Sequence, residues 1–326
     1  MIRGMLALFL GAGFSKWSAN LPLAEELFDF DVEPWGPRDN RKLEIVQFLK
    51  RRWDSAHPNG LSEQFIAEAL RFPDRDRDAV LWYIVHRLSA PFIWKEFHAQ
   101  RWRRHVLMID ENRKFSLPAI IKVRSFVQPL YGPLLAGVIT TNYDMIVEYA
   151  LGTKGFNYGV PNQLLMGRGP YPVSEWRHPV ILRGRVPLAK IHGSISWDET
   201  GCYTDGRRGI TGGALIVAPT PEKQPPKLLR PVWNQAENIL KSVSRLLVFG
   251  FAFNPYDEAV LNLLKLSESN VKSVLLIDVE SRTRRAHEIW PNAAVTLCSP
   301  PPKGDAWLRK WLRLSDSTTY HRKTPG

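Results

Sequence analysis

Cysteine is scarce in this 326-residue chain, which carries only Cys202 and Cys298. Two thiols so far apart make neither a disulfide framework nor the paired spacing of a zinc site. No metal is expected, and the usage fits a reducing cytoplasm. Long apolar runs are missing too: none reaches the roughly 18 residues of a membrane span, so no membrane partner is expected. There is no Gly-x-x-x-x-Gly-Lys phosphate loop, so an ATPase of that type would have to be a separate partner. The full Gly-x-Gly-x-x-Gly fingerprint is also absent, because Lys16 stands where its third glycine belongs.

Apolar residues make up 44% of the chain and charged residues 23%, enough for one large domain or two modest ones with a sizeable core. Lysine and arginine (44) outnumber aspartate and glutamate (32), for a formal net charge of +12. A basic surface attracts nucleic acid, anionic membrane or phosphate-rich ligands. Charge alone does not choose among these, nor between them and a basic surface with no specific partner. The run Arg101-Trp102-Arg103-Arg104-His105 combines phosphate-pairing and base-stacking groups, which makes nucleic-acid binding or processing a rival function. Its plainer reading is a solvated basic face with Trp102 packed inward.

Short apolar runs recur at Met5–Leu10, Ala136–Thr140, Leu188–Ile191, Ala214–Ala218, Arg245–Phe249, Val274–Ile277 and Ala294–Leu297. Such runs, closed by Gly, Asn or Asp, read as buried parallel strands. Helical patterns follow several of them, which predicts an α/β fold with a Rossmann-like parallel sheet. Arg3 followed by Met5–Leu10 also fits a short signal peptide. A signal peptide, however, does not require the helical pattern that continues from Gly11-Ala12-Gly13-Phe14-Ser15. Residues 34–129 differ in character. Leu43, Val46, Leu49 and Trp53 recur at helical spacing, as do Val80, Leu81, Ile84, Val85 and Leu88; Val106–Ile109 and Ile120–Phe126 extend the helix-like content. The expected organisation is a Rossmann-like core over 1–33 and 130–314, a helical module inserted over 34–129, no zinc module, and a polar tail over 315–326. Residues 152–187 and 199–230 read as long loops rich in Gly, Pro and Arg.

Five stretches place glycines or polar groups at strand ends, where open α/β sheets bind ligands. In Gly11-Ala12-Gly13-Phe14-Ser15, glycines let backbone N–H groups approach a pyrophosphate, and a plain tight turn is the alternative. In Thr141-Asn142-Tyr143-Asp144, a capping box accounts for Thr141 and Asp144 but not for Asn142. A lone histidine is more often structural, yet His192 in Lys190-Ile191-His192-Gly193-Ser194 shares its strand-end location with Asn142. In Gly250-Phe251-Ala252-Phe253-Asn254-Pro255-Tyr256-Asp257, Gly250 faces the ligand side. Asn254 there reads as an N-cap, Pro255 as the first helical residue and Asp257 as the close of the box. Asp278 follows a buried strand, placed either to accept ribose hydroxyls or to cap a helix from Ser281.

Together and in this order, the stretches resemble the sirtuin-like family, in particular its bacterial antiphage-defence branch associated with HerA, Argonaute or Thoeris systems. The resemblance implies that Asn142 and His192 are catalytic. It implies that Gly11, Ala12, Gly13, Ser15, Thr141, Asp144, Gly250, Phe251 and Asp278 line an NAD site, with Asp144 fixing the carboxamide. Deacylating sirtuins carry a four-cysteine zinc module and a Thr-Gln-Asn-Ile-Asp strand end; this chain has neither, reading Thr140-Thr141-Asn142-Tyr143-Asp144 instead. The expectation is therefore a cytoplasmic NAD glycohydrolase with NAD as substrate, gated by homo-oligomer formation or by a HerA-type ATPase or other defence partner. The alternatives are a nucleic-acid-binding subunit of a defence complex and a catalytically silent NAD sensor.

Overall fold

The first strand, β1 (Leu6–Leu10), is five apolar residues with no more than 2% exposure. Continuous apolar sequence of this kind forms where both faces of a parallel sheet are covered. Full burial of side chains such as Leu8 and Phe9 stabilises the fold by about 1.5–3 kcal/mol each relative to exposure. The computed structural model describes residues 5–32, 39–88, 94–99, 102–107, 118–127, 130, 135–151, 156–158, 186–195, 197–198, 201–202, 214–219, 227–278, 282–299, 307–308 and 310–311. The side chains of 101–105 and the tail 315–326 lie outside what is described.

After β1 come α1 (Ala12–Ala19), α2 (Asn40–Ala56), α3 (Ser62–Ala69), α4 (Asp74–Leu88), β2 (Trp94–Ala99), β3 (Trp102–Leu107) and α5 (Pro118–Val127). Then follow β4 (Leu135–Thr140), α6 (Ile146–Leu151), β5 (Phe156–Asn157), β6 (Val186–Lys190), β7 (Gly193–Ser194), β8 (Trp197–Asp198), β9 (Gly201–Cys202) and β10 (Leu215–Ile216). The chain continues with α7 (Arg230–Ser242), β11 (Arg245–Phe249), α8 (Glu258–Lys265), β12 (Ser273–Ile277), α9 (Thr283–Ile289) and β13 (Ala294–Cys298).

The main sheet runs β13-β12-β11-β1-β4-β6-β5, every pairing parallel, with β5 a two-residue edge. The expected Rossmann-like parallel sheet is thus the fold. The chain leaves β1 toward β4 on one side and returns to β11 on the other. The β1/β11 junction is therefore a topological switch point, the place where such sheets open a crevice beyond their carboxyl ends.

Three expectations change. Ala214–Ala218 is not a strand of this sheet: Leu215 and Ile216 pair antiparallel with Ser194 and Gly193. Gly193 makes this possible, because its φ of +83° turns the chain back and a Cβ there would meet the Leu215 carbonyl at 2.0 Å. The run from Val106 contributes to strand β3, which pairs antiparallel with β2 inside the inserted segment. Lastly, β13 is an edge strand with exposed Ala294, Thr296 and Leu297 rather than a buried one.

The helices of the insert form for local reasons. Asp39 caps α2 by accepting the Lys42 N–H at 3.1 Å. The second half of α4, from Ala79 to Leu88, is buried throughout, including His86 and Arg87. The Arg87 guanidinium donates to the carbonyls of Leu27 and Glu26, each at 3.1 Å, so α4 holds the segment that follows α1. Among the described residues no helix is long and apolar enough to cross a membrane.

Candidate active site

The glycine turn is built by backbone contact. The Gly11 N–H donates to the Phe249 carbonyl and the Gly13 N–H to the Gly250 carbonyl, both at 2.9 Å, stitching the end of β1 to that of β11. A Cβ on Gly11 would lie 2.4 Å from the Gly250 oxygen, and one on Gly13 would lie 2.7 Å from the Gly250 Cα. Gly250 itself has φ +63°, and its Cβ would lie 2.4 Å from the Phe14 nitrogen. Helix α1 starts at once, with exposed Ala12 as its first residue and Gly11 as an N-cap that offers no side chain. Beyond α1, residues Ala24–Phe28 form turns. Phe251 belongs to this turn through its backbone, since its ring is core, packed edge-on against Phe9 at 4.9 Å.

At the end of β4 the Asn142 amide nitrogen donates to the Gly11 carbonyl at 2.9 Å and to Ser15 Oγ at 2.8 Å. The carbonyl of Gly11 can only accept, so the amide orientation is fixed by chemistry. Both amide N–H donors are used, and Oδ1 is the atom outside these bonds. Ser15 Oγ passes the chain on, donating to Asp144 Oδ2 at 2.6 Å, while Asp144 Oδ1 accepts the Ile146 N–H at 3.0 Å. The capping box expected between Thr141 and Asp144 does not form: α6 begins at Ile146, whose N–H donates to the Asp144 carboxylate in a local turn. Thr140, which the sequence reading passed over, receives the Asn142 N–H at 3.0 Å and donates to the Leu10 carbonyl at 3.0 Å. Thr141 is half-buried and its N–H donates to Leu10 at 3.1 Å. Asn142, Asp144 and Ser15 are all buried.

His192 stands just past β6, the neighbour of β4. Its backbone is fixed by the Val217 N–H, which donates to the His192 carbonyl at 2.9 Å. Its Nε2 lies 3.3 Å from Asp257 Oδ2, and both residues are buried. Asp257 was expected to close a capping box. Instead α8 begins at Glu258, Asp257 occupies the N-cap position without a side-chain cap bond, and its carboxylate meets His192. Asn254 Oδ1 accepts the Tyr256 N–H at 3.0 Å, a local turn rather than a helix cap. Since β11, β1, β4 and β6 are consecutive neighbours in the sheet, the His192–Asp257 contact reaches across the ends of β1 and β4.

Tyr143 lines the same space, its ring 6.3 Å from that of His192 and its hydroxyl donating to the Val217 carbonyl at 2.9 Å. Burial drives the Tyr143 phenol far above its ordinary range, and the Asp257 and Glu63 carboxylates add to this. Glu63 comes from α3 of the insert. Burial raises its carboxyl, with Glu25 and Asp257 adding to the effect, while hydrogen bonds to its own backbone and to Asn254 pull it back. Sequence reading missed Glu63 because nothing in its neighbourhood resembles a strand end. Asp278 is half-buried at the end of β12, its N–H donating to Cys298 at 3.3 Å. The helix beyond it starts at Thr283 with Arg282 at the cap position, so Asp278 does not cap it.

The glycine turn, Ser15, Thr141, Asn142, Asp144, His192, Gly250 and Asp278 thus all sit at the carboxyl edge of one sheet. Among the described residues no group of three or more His, Cys, Asp or Glu side chains has the arrangement of a metal site.

No family model matches the sequence, and no curated protein does. Solved structures similar to the chain include a Sir2 enzyme studied for mechanism and regulation, at 12% identity, covering 98% of this chain and 94% of that one, with a TM-score of 0.41. A Sir2 homologue in complex with NAD follows, at 13% identity, with 96% and 90% covered and a TM-score of 0.39. A third is Sir2 with the inhibitor EX-527, 2′-O-acetyl-ADP-ribose and a deacetylated p53 peptide, at 12% identity, with 97% and 93% covered and a TM-score of 0.38. At this identity and TM-score they assign no residue a role in this chain.

Proposed function

We propose that the chain is an NAD glycohydrolase that cleaves the nicotinamide–ribose bond, and that it serves as a gated effector of bacterial antiphage defence. The observations that carry the catalytic reading are the 3.3 Å His192–Asp257 pair and the Asn142–Ser15–Asp144 chain, with His192 and Asn142 just past the ends of the neighbouring strands β6 and β4. The three-glycine contact leaves no room for a side chain and locks the start of α1 against the end of β11, beside Ser15. The sirtuin-like order of the motifs supports the same reading.

Breaking the C1′–N1 bond sends its electron pair to the pyridinium nitrogen, so nicotinamide leaves neutral. The barrier lies in the positive charge that develops on the ribose, as in glycoside hydrolysis. A water then bonds to C1′ and must lose a proton. A carboxylate only accepts hydrogen bonds, so Asp257 selects the tautomer with the proton on Nε2. That leaves Nδ1 of His192 as the base for water or a ribose hydroxyl. Asn142, with both N–H donors held, acts as an acceptor through Oδ1 and orients a water or hydroxyl. Asp144 acts through Ser15 rather than on the carboxamide directly. In this reading Asp278, half-buried at the end of β12, accepts hydrogen bonds from ribose hydroxyls.

Incubation of the chain with NAD is expected to yield nicotinamide and ADP-ribose, with His192→Ala or Asn142→Ala lowering turnover by about 10²-fold or more, in line with loss of one positioned catalytic group. Wild-type nicotinamide release from both folded variants would overturn the assignment.

A further inference from the structure

Lys190, the last residue of β6, is fully buried. Its Nζ lies 3.0 Å from Glu148 Oε1 on α6, and it also donates to the Asp144 carbonyl. Glu148 is 1% exposed. In the β4–β6 register Lys190 faces Thr140, two residues before Asn142, and Lys190 itself lies two residues before His192. The next carbonyl back, that of Tyr143, is held from the same side: it accepts the Ile195 N–H at 3.0 Å and the Ser194 hydroxyl at 3.3 Å. The segment that carries Asn142 is therefore clamped by the segment that carries His192.

An ammonium taken wholly out of water is costly, and apolar side chains of similar size hold a fold together at least as well as a buried ion pair. What apolar residues cannot do is direct a hydrogen bond onto one carbonyl. We propose that Lys190, with Glu148 as its partner, is a positioning residue that sets the separation of Asn142 and His192 across β4 and β6. The proposal rests on the NAD-cleaving reading only for its kinetic readout.

The test replaces both members with apolar residues, Lys190→Met with Glu148→Met, and follows thermal unfolding, nicotinamide release and the NMR signals of the His192 imidazole. The expected double variant unfolds cooperatively near the wild-type temperature. Its kcat falls by about 100-fold, the scale of a small misplacement of catalytic groups, while KM changes by less than about threefold. Its imidazole signals move from their wild-type positions. A folded double variant with wild-type kcat and an unmoved imidazole overturns the proposal. Should the wild-type chain release no nicotinamide, the NAD-cleaving reading fails, and the imidazole alone decides: a shift supports positioning and its absence overturns it. Should the double variant not fold, Lys190→Met with Glu148→Gln carries the same test, because it also removes the ammonium that holds the Asp144 carbonyl and leaves an uncharged partner of unchanged size: a lowered kcat with a moved imidazole supports positioning, and wild-type values of both overturn it.

Discussion

Single residues at the switch point have little freedom. Gly250 combines a left-handed backbone with direct contact to the α1 backbone at Gly13 and Phe14. The φ of +63° alone makes Gly250→Ala cost about 1–2 kcal/mol. The 2.4 Å approach to the Phe14 nitrogen adds to this, since backbone has no rotamer with which to move aside. Urea denaturation is expected to show a lowered midpoint and, in ligand titrations, weakened ADP-ribose binding; an unchanged midpoint contradicts the packing described. Asp257 makes the complementary case. Its pairing with His192 predicts that Asp257→Asn folds normally but loses turnover, because an amide can present a donor to Nε2 and favour the wrong tautomer. Normal kcat in that variant rules out the tautomer argument.

At the level of elements, two carboxylates give opposite pH signatures. Glu26, in the turn after α1, is lowered below the ordinary 4.5 by hydrogen bonds from the Lys16 ammonium and the Leu23 N–H. A depressed folded value means its contribution is present above pH 4.5 and is lost as the pH falls through the folded value. Glu148, at the start of α6, is raised above 4.5 by burial, which the Lys190 ammonium offsets only in part. There the folded state holds its proton more tightly than the unfolded chain, so stability declines as the pH rises from 4.5 through the folded value. Chemical denaturation across this range is expected to flatten on the acid side for Glu26→Gln and on the rising side for Glu148→Gln. Identical pH profiles for wild type and both variants would remove the basis for these assignments. Elements also explain why the turn after α1 keeps its place: Arg87 of α4 satisfies the carbonyls of Glu26 and Leu27, and Lys16 of α1 holds the Glu26 carboxylate.

For the whole molecule, an enzyme that consumes NAD without control would exhaust its own cell, so the proposed activity calls for gating. The proposed gates are self-assembly or a separate ATPase or other defence partner. Turnover by the isolated chain is expected to be low and to rise with oligomer formation or partner addition, measured by nicotinamide release alongside sedimentation. Full turnover from the dilute lone chain, independent of association, counts against gating.

The sequence by itself determined most strands of the sheet, though not the two-residue edge β5, and it placed Ala214–Ala218 there wrongly. Runs such as Leu6–Leu10 and Leu246–Phe249 are apolar on both faces because both faces are covered, and that burial is written locally in residue type. It also determined the strand-end positions of Gly11, Asn142, His192, Gly250 and Asp278, because polar groups and glycines interrupt the apolar runs there. Tertiary structure decided what those ends do together. Asp257 has the local signature of a helix cap, and only the strand order brings its carboxylate to His192. Lys190 reads as one charged residue at the end of a strand; only the fold buries it completely and brings Glu148 and the Asp144 carbonyl to its ammonium. Residues 215–216 and 102–107 took their pairing from Gly193 and from the facing strand β2, respectively. Apolar periodicity records that a residue is buried, but the identity of its partner depends on how distant segments are laid side by side.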